Sequence, residues 1–285
     1  MRLNTIGVQN TALGYRSLYT NTTGNTNTAL GYESLYSNTT GYNNIAIGYQ
    51  SLYTATGSYY NTAVGISSLY LNTTGNYNVA VGISSLYSNT TGYQNTALGP
   101  FASQENKTGV SNTTIGFASS QNNKTGNLNV SIGYGALISS TQSSYNTSLG
   151  SVTLWLSQGS YNTALGYNSL SQIVNGDYNI GIGVSSGTFI SGTTSGASQS
   201  NNSIFIGYDT RPQSNNQTNQ IVIGHGATGS GSNSVTLGAS TITKTQLRGI
   251  INLGSVPVYP DLATAQLTLS PGDVWQTPSN VLMIA

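Results

Sequence analysis

Apolar positions in this chain recur as one short phrase at a fixed interval. Ala12-Leu13, Ala29-Leu30, Ala46-Ile47, Ala63-Val64, Ala80-Val81 and Ala97-Leu98 are each followed by glycine and stand 17 residues apart. The closing glycines keep that beat from Gly14 to Gly150. It then shifts to 16 residues at Gly166, 17 at Gly183, 24 at Gly207, 17 at Gly224 and 14 at Gly238. A period this short predicts a solenoid, in which near-identical coils stack on one another.

One repeat, Gly31 to Gly48, shows what a coil contains. Two glycines with several Asn, Thr and β-branched residues disfavour helix over so short a window. Two short strands are expected, around 34–36 and 44–47, with Asn-Thr-Thr-Gly and Gly-Tyr as turns. Neighbours in a strand point to opposite faces, so Ala46 and Ile47 cannot share one core. A coil one chain thick can enclose one set, and the other set then needs cover from another chain, which argues for an oligomer. In-register stacking forms parallel ladders, and about 14 coils at ~4.8 Å give a rod roughly 65 Å long. Asn10, Asn27, Asn44, Asn61, Asn78, Asn95, Asn112, Asn129 and Asn146 fall in one column, where their amides can bond along the stack and to turn backbone.

Composition narrows the classes. Only 5% of residues are charged, and the net charge is +1. Typical domains carry roughly 25% charged residues, so no basic face is available for nucleic acid. There is no cysteine, and no apolar run approaches the ~20 residues of a membrane span. Fixed apolar phase argues against a disordered polar tract.

The phrase Asn-Thr-Ala-Leu-Gly-Tyr, with Ser-Leu-Tyr and Asn-Thr-Thr-Gly, resembles the head repeats of YadA-like trimeric autotransporter adhesins. It is similar in style to the longer versions in phage and large-virus fibre proteins. The resemblance spans about residues 4 to 240. It implies an all-β, left-handed parallel β-roll wound as an intertwined homotrimer, and it implies no single ligand. A secretion signal, a coiled-coil stalk and an anchoring barrel segment are not visible. The expected function is therefore a structural fibre on a virion or extracellular surface that serves attachment or receptor binding. A bacterial adhesin head and a glycan-degrading spike are the alternatives.

The expected organisation is a repeat domain over 1–240 and a capping or connector module over 241–285. In the second, 261–267 reads as a helix, and 271–277 and 281–284 as strands about a Pro-Ser-Asn turn, giving a small α+β cap. The first residues already follow the repeat, so an open first coil could receive another molecule and build filaments end to end.

No catalytic residue, metal or cofactor is expected. His225 holds the frame position of Tyr15, Tyr32 and Tyr49, so the repeat accounts for it. Asp177 and Asp209 are the acids that could approach one another across the 24-residue interval, as glycan hydrolysis requires. Asn21, Asn38, Asn72, Asn89, Asn106 and Asn123 are Asn-x-Ser/Thr sequons in one register, interrupted at Ala55. They read either as a stripe of N-glycans or as turn formers. Further sequons lie at Asn112, Asn129, Asn146, Asn201 and Asn216. Tyr19, Tyr36, Tyr53, Tyr70 and Tyr87 form a column that either packs or stacks on sugars. The insertion at 190–202 is expected to bulge outward and to contact a cell-surface glycan or protein receptor.

Overall fold

The computed structural model describes residues 3–246, together with the backbone of Val274–Gln276 and Leu282–Ile284. Within them the protein is an all-β parallel solenoid with no helix. Fourteen short strands, from Thr11–Leu13 to Ser234–Leu237, form one sheet in chain order. Like pairs with like: Thr11 with Thr28, Ala12 with Ala29 and Leu13 with Leu30. The register survives the 16-residue step, where Thr163 pairs with Thr147. It survives the 24-residue interval as well, where Ile180 pairs with Ile204.

The three-residue strands divide their side chains by size. Ala29, Ala46, Ala63, Ala80 and Ala97 point inward and are fully buried. They meet Leu18, Leu35, Leu52, Leu69 and Leu86, which enter the same core from the opposite side of each coil and are also fully buried. Burial of each leucine is worth about 1.5–3 kcal/mol. Further along, the core changes composition. Phe205 takes the alanine position directly above Gly181 and packs where a Cβ on Gly187 would lie 2.7 Å from its ring.

In the regular repeats only one strand forms, so the strand expected at 34–36 is absent; a second short strand appears only at Ser200–Asn201 and Gln217–Thr218, which pair with each other. Glu33 and Leu35 instead have φ of 52° and 51°, and the same left-handed pair recurs at Arg16 and Leu18 and at Gln50 and Leu52. The backbone there alternates sense. The Glu33 N–H donates to Tyr15 of the coil before (2.8 Å), while the Leu35 N–H donates to Ser51 of the coil after (2.9 Å). The segment is thus hydrogen-bonded to both neighbours without being extended, and its curl turns leucine into the core. Such a backbone is costly for a lone residue. Here bonds on both sides hold it in the regular coils.

The glycine beat has a steric cause. From Gly14 to Gly207 the closing glycines have φ near +130°, and successive ones approach so closely that a Cβ on Gly82 would lie 2.6 Å from the carbonyl of Gly99. Backbone occupies the space, so no rotamer relieves the clash.

The chain divides into two compact units, Met1–Thr241 and Ile242–Ala285. In the second, Val274–Gln276 and Leu282–Ile284 pair antiparallel, Val274 opposite Ile284. The helix expected at 261–267 lies outside the described residues.

Gly82→Ala is expected to destabilise the rod by about 3 kcal/mol through strain and contact with Gly99. Thermal unfolding followed by circular dichroism measures this. A change under ~0.5 kcal/mol would contradict a steric origin for the glycine beat.

Candidate functional site

Two asparagine columns run inside the rod. In the first, each Asn side-chain oxygen accepts from both the backbone N–H and the amide of the Asn one coil on. Asn27 bonds Asn10 in this way at 2.9 and 3.2 Å, and its amide also donates to the Gly41 carbonyl at 2.8 Å. The pattern repeats through Asn44, Asn61, Asn78, Asn95, Asn112, Asn129 and Asn146. It continues in part at Asn162, whose backbone N–H alone donates to Asn146, and in full at Asn179; the sequence reading left these two out, and the spacing slips to 16 between Asn146 and Asn162. From Asn27 onward these side chains are at most 5% exposed. Buried amides are affordable only when each donor and acceptor is matched.

The second column consists of the sequon residues. Asn21, Asn38, Asn72, Asn89, Asn106 and Asn123 are at most 3% exposed. Asn38 donates to Asn21 (2.7 Å), Asn89 to Asn72 (2.7 Å) and Asn106 to Asn89 (2.7 Å). The amide nitrogen that a glycan would occupy also holds the carbonyl of the glycine three residues on, as in Asn38 to Gly41 at 3.1 Å. The folded rod therefore has no place for N-glycans on this column, and the glycan stripe is corrected to a second ladder. Among the remaining sequons, Asn112, Asn129 and Asn146 lie in the first ladder, Asn201 is half-buried and Asn216 is exposed.

Aromatic residues stack in the same like-over-like manner. Tyr19, Tyr36, Tyr53, Tyr70 and Tyr87 are half-buried, with successive rings 5.1–5.3 Å apart and nearly parallel. Each ring covers the face of the next, so the ladder interior has no free face for a sugar. Tyr15, Tyr32 and Tyr49 form a more exposed ladder. His225 extends that frame position, with its ring 5.0 Å from Tyr208.

Beside this ladder lies the outer face of the sheet. Leu30, Leu149 and Leu165 are 42%, 41% and 42% exposed, and Ile45, Val130 and Ile180 open onto the same side. Thr28, Leu30 and Tyr32, alternate positions through Gly31, give this face three columns, two of them largely apolar, along the length of the sheet. It is uncharged and is left uncovered by the other described residues of the solenoid.

The acids are occupied separately. Asp177 accepts from the Ser160 N–H at 2.7 Å. Asp209 pairs with Arg211 through two bonds of 2.9 Å. They sit at different frame positions, Asp177 two residues before the ladder Asn179 and Asp209 two residues after Gly207, and each has its own partner. Among the described residues there is no group of three or more His, Cys, Asp or Glu that could hold a metal.

Arg211 also explains the insertion. Its guanidinium donates to the Thr193 and Ile190 carbonyls at 2.8 and 3.3 Å and lies over Phe189. Phe189 and Gly196 form an antiparallel bridge. The 24-residue interval is thus a tied hairpin-like excursion with residues 192–195 exposed at its tip. Sequence reading missed this clamp, because Asp209-Thr210-Arg211 has the same acid–base spacing as Glu105-Asn106-Lys107 and nothing in the sequence ties it to the insertion.

Compared with protein-family models, characterised proteins and solved structures, the chain matches none of them.

Asn95→Ala should cost about 2–4 kcal/mol, because it removes a buried amide and leaves the Asn78 and Asn112 ends unpaired. Asn216→Ala should change stability by under ~0.5 kcal/mol. Denaturant midpoints of the two variants test the difference. Stability should also fall in strong alkali. Burial pushes the Tyr53 and Tyr70 phenols up, with the charge of Glu33 and the neighbouring ladder tyrosines adding to it. Tyrosines in the unfolded chain ionise near pH 10. Above that pH the unfolded chain has released protons that the folded ladder retains, so stability is intact below about 10 and declines as pH rises through the folded values. Denaturant midpoints at neutral pH and above pH ~10, read with phenolate absorbance, measure this.

Proposed function

We propose that this chain is the repeating rod of a structural fibre. In this reading three copies wind about one axis as a left-handed β-roll on a virion or extracellular surface, and the fibre serves attachment. The observation that carries the proposal is the outer face of the sheet. A single coil buries its alanines and leucines but leaves the aliphatic residue that ends each strand of this sheet partly or largely exposed, next to a ladder of exposed tyrosines. Soluble monomers rarely expose contiguous apolar patches beyond a few hundred Å², and this face continues over fourteen strands. Copies of the same chain have the same coil spacing, so columns can meet columns along the whole length, which no partner of different period can do. In this reading stacking one coil after another serves reach, and recognition belongs to the tied excursion at 189–196, whose tip interrupts the otherwise uniform rod.

Light scattering on the purified chain tests the proposal. The expected result is a particle of three times the 29.6 kDa chain mass. Leu149→Asp with Leu165→Asp should shift it toward the monomer while the circular dichroism spectrum stays unchanged. A wild-type chain that remains monomeric at high concentration overturns the reading.

A further inference from the structure

We propose that N-linked glycosylation of this chain and its folding exclude one another, so that the rod forms only where the nascent chain does not meet the enzyme that transfers oligosaccharide to Asn-x-Ser/Thr. The proposal rests on the two asparagine ladders and holds for a single rod or a trimer. The chain carries eleven such sequons, and nine of them are ladder residues: the six of the second column, with Asn112, Asn129 and Asn146 of the first. All nine are at most 5% exposed. A sequon ordinarily marks a surface loop, and here it marks the interior.

The transfer modifies the atom that the ladder uses. A bond forms from the anomeric carbon of a lipid-pyrophosphate oligosaccharide to the asparagine side-chain nitrogen, the lipid pyrophosphate leaves, and the amide gives up one of its two hydrogens. In seven of the nine residues both hydrogens are already donated. Asn89 gives one to Asn72 at 2.7 Å and the other to the Gly92 carbonyl at 3.0 Å. Asn129 gives one to Asn112 at 3.1 Å and the other to the Ser143 carbonyl at 2.8 Å. The same division holds at Asn21, Asn38, Asn106, Asn112 and Asn146. A glycosylated amide has one N–H left, so a buried oxygen loses its donor at each modified step. The space is closed as well, since even a Cβ on Gly92 would lie 2.4 Å from the Asn89 oxygen. Transfer can therefore reach only the unfolded chain, and a chain so modified cannot close its coils.

The residue that completes each sequon of the second column is not required by the fold. The hydroxyls that bond the next coil belong to the middle residue. Thr22, Thr39 and Thr73 donate to the carbonyls of Thr39, Thr56 and Thr90 at 2.9, 2.9 and 3.0 Å. The third residue is exposed at Thr40, Thr74, Thr91, Thr108 and Thr125, and Gly57 takes the same place beside Ala55. These sequons could be lost without cost to the ladder, yet six coils carry one, which fits a chain that does not encounter the transferring enzyme.

Production of the full chain by two routes tests this. One is a bacterial cytosol; the other, behind a cleavable secretion signal, is the secretory lumen of a eukaryotic cell. Circular dichroism and protease resistance read the fold, and mass spectrometry after enzymatic deglycosylation reads the glycan positions. The cytosolic chain is expected to be folded, and the luminal chain to carry sugar on ladder asparagines and to lose the rod spectrum. Blocking synthesis of the lipid-linked oligosaccharide should return the luminal wild-type chain to the folded form. A variant without the nine ladder sequons, through changes such as Thr40→Ala and Ser131→Ala, should fold in the lumen with no inhibitor, even with sugar on the exposed Asn216. A folded luminal rod with sugar on its ladder asparagines overturns the proposal, as does one whose ladder asparagines stay bare while transfer is active. So does a luminal wild-type chain that stays unfolded with transfer blocked although the cytosolic chain folds.

Discussion

Everything in this rod rests on side-chain amides that bind their own copies one coil away. Because the oxygen of each ladder Asn receives both the backbone N–H and the amide of the next, a coil slipped by one residue would strand several buried polar groups at once. The stranding penalty is several times the gain from any one bond. Register is therefore set by polar residues within an apolar envelope. The alanine and leucine core can then be small, since it fills a space whose alignment is already fixed.

Much of this was readable from the chain. Period and phase identified the columns, the alternation of small and larger aliphatic residues showed that both faces of the strand need cover, and Asn10 to Asn146 could be aligned without coordinates. Less accessible was the sense of the backbone. Nothing in Ser34-Leu35-Tyr36 distinguishes an extended segment from one with φ near +50°, because both bury leucine at the same interval. Burial of Asn38 was hidden for a related reason. A polar residue in a Thr- and Gly-rich turn reads as surface, and only the closed coil shows its amide pointing inward.

Stacking like over like also explains why the chain carries so little charge. Two equal charges about 4.8 Å apart repel by roughly 3 kcal/mol at an effective dielectric near 20, so a charged column would oppose assembly at every step. Among the described residues, basic side chains stack directly on one another only at the exposed Lys107 and Lys124. Arg16 and Glu33 place opposite signs in successive coils, with Glu33 then accepting from Gln50 at 2.9 Å. The uncharged hydroxyl and amide groups that fill the other columns can be repeated without such a cost.

The glycine corner has a consequence for how such a chain can change over time. Each Gly fits against the Gly one coil away and against little else, so a coil recognises its neighbour by a backbone outline that all regular coils share. Duplication or loss of one 17-residue segment within Gly14 to Gly133 joins surfaces that already match, and every column stays continuous across the joint. Rod length is thereby a quantity that can be inherited in whole coils, whereas the excursion clamped by Arg211, which has no copy elsewhere in the rod, can be altered only in place.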